Sequence, residues 1–254
     1  MTSGRLRGKV MKNLDKKNLL IDYVIKNILN SKYFNNNNTV LASPTNEIND
    51  PLCDYVKKKY KIKIYRGSEH NVFDRVYQCS RLGNFDVNIR YTADNPFIDP
   101  VLIDKFVEKF AKEKIDYMST RTMHHSKKWK LESEYPEGLS IEIYKAKLLE
   151  KIKKYVNKKN MDYPTWNLYS GPTKFRIKGF KLINLYKKKD FTNLRVTIDT
   201  NKDLKFVRKL IKLFRLKPGI NNFFRVLSGR KKKKIKLINI NEQSKIAYKV
   251  ISAR

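Results

Sequence analysis

Phe85-Asp-Val-Asn-Ile-Arg-Tyr-Thr-Ala-Asp-Asn-Pro-Phe-Ile-Asp-Pro100 packs a strand, a turn and a helix start into one continuous stretch. Phe85 to Tyr91 has the apolar spacing of a strand. Asp94 precedes Asn95-Pro96, a turn signal. Asp99 stands where a helix cap belongs, and Pro100 suits a first helical turn. The helix it opens, Pro100 to Ala111, is amphipathic. A carboxylate on the turn after a strand is where an α/β sheet would hold a metal–phosphate complex. Asp99, by contrast, reads as a cap.

Working outward, the same alternation repeats. Towards the amino end, helical spacing covers Leu19 to Leu29, a strand Thr39 to Ala42 closed by Ser43-Pro44, and a helix Pro51 to Lys59. A strand Ile62 to Tyr65 ends at Gly67, and a helix follows over Asn71 to Arg81. Towards the carboxyl end come strand Ile115 to Ser119, a polar stretch, strand Leu139 to Tyr144, helix Lys147 to Val156, strand Leu194 to Ile198 and helix Asp203 to Phe214. Such alternation predicts an α/β fold with a mostly parallel sheet and helices on both faces. No repeat or low-complexity linker divides the chain. The expectation is one domain over 1–254, with a polar insertion near 121–138 and a basic tail over about 218–254.

Composition narrows the classes. The 254 residues carry 57 Lys and Arg against 24 Asp and Glu, a formal net charge of +33, with 41% hydrophobic residues. That apolar content excludes a chain disordered by composition. No run of about 18 apolar residues occurs, so no helix is expected to span a membrane. Met1 to Lys17 lacks the apolar core of a secretory signal. With two cysteines, Cys53 and Cys79, there is neither a disulfide framework nor a Cys-based zinc site. These features point to the cytoplasm. Most basic residues are lysines in short runs such as Lys57 to Lys59 and Lys231 to Lys234, which suits solvated faces with weak anion attraction.

Two further segments carry chemistry. In Met1-Thr-Ser-Gly-Arg-Leu-Arg-Gly-Lys9, Gly4 and Gly8 let backbone approach a ligand closely, Ser3 and backbone N–H groups can donate to phosphate, and Arg5 and Lys9 supply cations for a polyphosphate. In Leu194-Arg-Val-Thr-Ile-Asp-Thr200 a second strand ends in a carboxylate. Asp94 and Asp199 at matching strand ends could share one Mg²⁺, which takes few carboxylates alongside substrate phosphates and water.

Five motifs in one order then carry a resemblance: Ser3-x-Arg5-Leu6-x-Gly8-Lys9; Arg66-Gly67-Ser68-Glu69 with Val72, Asp74 and Arg75; Arg90-x-Thr92-Ala93-Asp94-x-Pro96-x-Ile98-Asp99-Pro100; Tyr135-Pro136-x-Gly138-Leu139; and Val196-Thr197-x-Asp199-Thr200 with Asp203-Leu204. From residue 1 to about 215 the chain resembles the cytidylyltransferases that activate acidic sugars, in the spore-coat polysaccharide branch related to CMP-KDO and CMP-acylneuraminate synthetases.

The resemblance implies a three-layer α/β/α sandwich, a Rossmann-like nucleotide-diphospho-sugar transferase fold. It implies a reaction in which CTP and a sugar acid give a CMP-sugar and pyrophosphate, with Mg²⁺, for surface polysaccharide synthesis. On it, Arg5, Lys9 and Asp94 are catalytic, and Ser3, Gly4, Arg5, Lys9, Arg66 and Ser68 line the nucleotide. Asp94 and Asp199 bind the metal, and Glu142 and Asp162 face the sugar. A homodimer is a possible assembly. The alternative is a non-catalytic basic module of the same fold that binds nucleic acid or other polyanions.

The sequence departs from the family pattern at named places. It begins inside the phosphate-loop motif, so the apolar strand that precedes that loop is absent, and the expectation is a chain of low stability alone. Arg7 replaces the usual Pro, Asp162-Tyr163 replaces an acidic–His pair, and Ser140 stands where Asp is common. Of the rest, His124 and His125 are not expected to form a metal pair. Trp129 and Trp166 read as packing or rim residues, Cys53 and Cys79 as buried thiols, and Arg230 to Lys234 as solvated tail.

Overall fold

The computed structural model describes residues 5–120, 122–123, 131–132, 137–139, 141–165, 182–184 and 195–219. The predicted alternation is present. Helix α1 (Leu20–Leu29) leads to strand β1 (Val40–Pro44), α2 (Asp50–Tyr60), β2 (Lys63–Gly67), α3 (Val72–Leu82), β3 (Val87–Arg90), α4 (Pro100–Lys112) and β4 (Tyr117–Ser119). Short strands β5 (Thr122–Met123) and β6 (Leu131–Glu132) follow, then β7 (Glu142–Lys145), α5 (Lys147–Lys153), β8 (Leu182–Asn184) and α6 (Asn201–Phe214).

Local chemistry sets the boundaries. Asp99 caps α4 by accepting from Val101 N at 2.9 Å and Leu102 N at 3.3 Å, so its capping role is the one observed. Its burial raises the carboxyl pKa. Asn71 caps α3 through Asp74 N at 2.9 Å. Thr200 and Asp203 form a reciprocal capping box at the start of α6.

Among the described residues the central strands fall into two sheets. β1 and β2 pair in parallel, and the other sheet has the order β3-β7-β4-β8. Directions are mostly parallel, as expected: β7 runs antiparallel to both β3 and β4, so β3, β4 and β8 share one direction in this sheet and β7 alone is reversed. The connection from β4 to β7 contains the small antiparallel β5–β6 ladder, so the stretch read as polar insertion carries strand structure. Parallel neighbours require a crossover of a dozen or more residues, usually a helix; antiparallel neighbours such as β4 and β7 do not.

Two apolar clusters flank the four-stranded sheet. In β4, Tyr117 packs with Phe73, Tyr77, Leu148 and Leu149, while the next residue, Met118, packs with Phe106 and Ile103. Tyr144 and Ile143 of β7 divide the same way. Successive strand residues point to opposite faces, so this sheet is buried on both sides. Tyr117, Tyr144, Met118 and Ile143 are at most 1% exposed.

Other boundaries shift. Of the predicted strand Leu194 to Ile198, residues 195–198 are described, and among them only Arg195 makes a bridge, to Glu137. The helix predicted to reach Val156 ends at Lys153. Cys53 is buried and Cys79 half-buried; both are free thiols, and burial lifts the Cys79 thiol to about 11. His124, His125, Trp129, Trp166 and the tail from residue 220 lie outside the described residues. No helix among the described residues is long and apolar enough to cross a membrane.

Candidate active site

The site begins with how residues 5–11 are anchored. Leu6 and Val10 are buried in the main cluster with Leu14 and α1. Between them Gly8 adopts φ +62°, a left-handed conformation that glycine takes without steric cost. It opens a short 3-10 turn, Lys9–Met11, with Met11 N donating to Gly8 O at 3.0 Å. The buried Leu6 and Val10 thereby turn Arg5 and Lys9 outward from the core on the same loop.

Lys9 Nζ meets two carboxylates. It donates to Asp94 Oδ2 at 2.7 Å and to Asp199 Oδ1 at 2.8 Å. The two predicted strand-end aspartates are therefore brought onto one cation. Backbone bonds hold them there. Ile198 N donates to Asp94 O at 3.0 Å, tying the β3 turn to the segment bearing Asp199. Asn95 N donates to Thr92 O at 3.2 Å, and Asn27 Nδ2 to Pro96 O at 2.9 Å, fixing the turn from either side.

Asp199 is crowded with cations. Arg5 lies 3.2 Å from its Oδ2, and Arg195 contacts the same oxygen. Burial pushes the Asp199 carboxyl up, but the Lys9 hydrogen bond and the charges of Lys9, Arg195 and Arg5 outweigh it, so its pKa lies below the ordinary carboxylate value. Arg195 also binds Asp203 at 2.8 Å and Glu137 at 3.2 Å. Burial works against its charge, yet Glu137, Asp203 and Asp199 hold it more firmly protonated than usual. Asp203 in turn accepts from Asp199 N at 3.0 Å and Thr200 N at 2.8 Å.

The sequence reading assigned no role to Arg195, Glu137 or Asp203. A signal existed. Arg195 and Asp199 are four residues apart in the predicted strand segment, an even spacing that puts both on one face, and Thr200-x-x-Asp203 is a capping-box spacing.

The other candidates are placed differently. Arg66 donates to Pro44 O at 2.7 Å, Asn46 O at 3.1 Å and Asp50 Oδ1 at 2.7 Å, organising the loop after β1. Ser68 Oγ accepts from Asn71 N at 3.0 Å, while its carbonyl accepts from Arg75. Glu142 is buried on β7. It accepts from Thr165 Oγ1 at 2.8 Å, Tyr117 OH at 3.4 Å and Arg90 at 3.3 Å. Asp162 is exposed. Ser3, Gly4 and Ser140 lie outside the described residues.

Gly138 supports the site from behind. It has φ +108°, and a Cβ there would lie 2.7 Å from Thr197 N and 2.9 Å from Val196 C. Val196 N donates to the neighbouring Glu137 O at 2.7 Å. Gly138→Ala is expected to push residues 195–199 away and destabilise the fold by about 1–3 kcal/mol. A urea titration with an unchanged midpoint would contradict this.

Comparison with known proteins decides the family. The cytidylyltransferase family profile matches residues 1–235. The chain belongs to the cytidylyltransferase family. Its members are nucleotidyltransferases, and the resemblance read from the five motifs is the correct one. The spore coat polysaccharide biosynthesis protein SpsF of Bacillus subtilis is 26% identical over 225 residues, spanning 87% of each chain. A cytidylyltransferase structure from Leptospira borgpetersenii superposes with TM-score 0.76 at 22% identity, covering 94% of this chain and 93% of that one. A CMP:2-keto-3-deoxy-manno-octonic acid synthetase complexed with CTP superposes with TM-score 0.59 at 13% identity, covering 84% and 95%. The last two establish a shared nucleotidyltransferase-like α/β fold.

Proposed function

We propose that the protein transfers CMP from CTP to a sugar acid and releases pyrophosphate, supplying a CMP-sugar for surface polysaccharide in the cytoplasm. The observation that carries this reading is the convergence of Asp94 and Asp199 on Lys9 beside Arg5. Family membership sets the nucleotide as CTP, and the two relatives named for spore coat polysaccharide and for a CMP-sugar acid support the acceptor class. The same reading takes the layering as a three-layer α/β/α sandwich, which agrees with a sheet buried on both faces.

In the reaction a sugar hydroxyl loses its proton to solvent as its oxygen attacks the α-phosphorus, the bond from that phosphorus to the bridging oxygen breaks, and pyrophosphate leaves with the electron pair. The protein's work is positioning and charge neutralisation. Arg5, with its side chain 48% exposed, is free to fork onto phosphate oxygens, and Lys9 supplies a point charge. Asp94 and Asp199 fit a divalent cation. Their oxygens already focus on one positive centre, and Mg²⁺ takes one or two carboxylates with water and phosphate. When bound, Mg²⁺ would neutralise charge on the α-phosphate and the departing pyrophosphate. Arg66 and Ser68 shape the loops on the nucleotide side. On the sugar side stand Asp162 and Glu142, the latter orienting Arg90.

The test is pyrophosphate release from CTP, ATP, GTP and UTP with Mg²⁺ and a panel of sugar acids. Release is expected with CTP and an acidic sugar, and not with the other nucleotides. No release with any pair, together with polynucleotide binding that falls steeply with salt, would favour the polyanion-binding alternative.

A further inference from the structure

Helix α6 turns one side to the core and the other to solvent. Leu204, Val207, Leu210, Ile211 and Phe214 are buried, whereas Lys202, Lys205, Lys209 and Lys212 are exposed. Their spacing lines the four lysines up along one helix face. At 1.5 Å per residue the row is about 15 Å long. More cations lie alongside. Arg208 donates through Nε and Nη2 to Asn13 O at 2.8 and 2.6 Å, which seats the turn carrying Lys16 and Lys17 beside the helix. Tyr23 OH lies 2.6 Å from Asp15 Oδ2 and 3.3 Å from Leu216 O, so the same turn is also tied to the helix end.

The charge on this surface is one-sided. Over residues 12–17 and 200–217 the carboxylates are Asp15 and Asp203 alone. Both are turned to other partners. Asp15 accepts from Tyr23, Asn18 and the backbone N–H of Lys17. Asp203 is buried and holds Arg195. Lys16, Lys17, Lys202, Lys205, Lys209 and Lys212 form no ion pair with a carboxylate among the described residues, unlike Lys32, Lys109 and Lys145, which do.

Shape selects among polyanions. Single-stranded nucleic acid is held in a basic groove with aromatic rings on which bases stack. Here the cations stand on the outside of a helix. Its two aromatics, Phe206 and Phe214, are buried, and residues 12–17 have none. Leu213 is 41% exposed beside Lys212. An apolar side chain among cations gains from the boundary between lipid headgroups and acyl chains. An anionic bilayer offers that boundary under a flat layer of phosphates, and each Lys or Arg close to it adds to the attraction. We infer that the exposed face of α6, with the turn over residues 12–17, is a docking surface for an anionic lipid bilayer. This inference is independent of the reaction proposed above.

The test floats the full chain with vesicles of phosphatidylcholine, or of equal parts phosphatidylcholine and phosphatidylglycerol. Binding is expected to the anionic vesicles only, and to weaken as salt rises. Lys205→Gln, Lys209→Gln and Lys212→Gln together should lower the affinity about 100-fold, the effect of three charges near the surface. Glutamine keeps helix propensity, and circular dichroism checks the fold. The control removes the same charge through Lys151→Gln, Lys158→Gln and Lys159→Gln, exposed sites in and after α5. That helix packs on the opposite side of the four-stranded sheet. The control should stay within about threefold of the unaltered protein, since more distant charges are screened. Equal losses in the two variants would mean that overall charge and not this face drives binding, and overturn the inference. So would failure to float with the anionic vesicles. A DNA duplex bound through the same three lysines more tightly than the vesicles would assign the face to nucleic acid and overturn it too.

Discussion

Asp199→Asn and Asp94→Asn are each expected to lower CTP turnover by at least ~100-fold, the scale seen when one oriented electrostatic contact is removed from a reacting centre. Both substitutions keep shape and remove charge. Asp199 is the more revealing position because Lys9, Arg5 and Arg195 all lean on it. Without its charge three cations lose a shared counter-ion, so turnover should fall further than for Asp94, whose carboxylate meets Lys9 alone among the described residues. The pH dependence has a definite sign. The Asp199 carboxyl titrates below its ordinary value, so its contribution is present at neutral pH and is lost only as pH falls through that lowered pKa. Steady-state turnover of the two variants with Mg²⁺ checks the prediction, and wild-type rates in both would remove the pair from the reaction.

The second large effect is on folding. Asp22 is fully buried on α1 and accepts from Leu19 N at 2.7 Å, Tyr55 OH at 2.9 Å and Lys59 Nζ at 3.0 Å, as well as from Tyr60 OH. It ties α1 to α2. Burial alone would raise its carboxyl, but the donors from Tyr60, Leu19, Lys59 and Tyr55 prevail and hold it below the usual range. Asp22→Ala strands those donors and leaves Lys59 without its carboxylate. The expected loss is about 3–5 kcal/mol, the range for breaking one side of a buried ion pair. Urea denaturation followed by circular dichroism measures it, and an unshifted midpoint would contradict the role.

Periodicity and turn chemistry made most helices and the first four strands legible before any coordinates. Asp99-Pro100 marks the start of α4 because a cap and a first-turn proline are local signals. The direction of β7 was not legible, since it depends on whether residues 120–141 cross over or fold straight back, and that stretch carries no helical period. The site was half legible. Asp94 and Asp199 stood out as carboxylates closing strands, and Lys9 as a cation beside Gly8. That they share one ammonium depends on the long-range bond from Ile198 N to Asp94 O, which no local pattern encodes. Asp22 was invisible for another reason. A carboxylate three residues into a helix reads as an ordinary first-turn acid, and only the packing of α2 against it turns that surface habit into a buried hub.

The Lys9 bridge bears on the order in which ligands arrive. Its ammonium lies between Asp94 and Asp199, so a divalent cation held by the same oxygens would compete with a tethered one. A triphosphate changes the balance, because it gives Lys9 another anion to follow. On the proposed reaction, Lys9 would turn from the carboxylates to the phosphates, and Asp94 and Asp199 would then be the residues that hold a divalent cation, so one tethered charge would keep the two carboxylates paired until the nucleotide is bound.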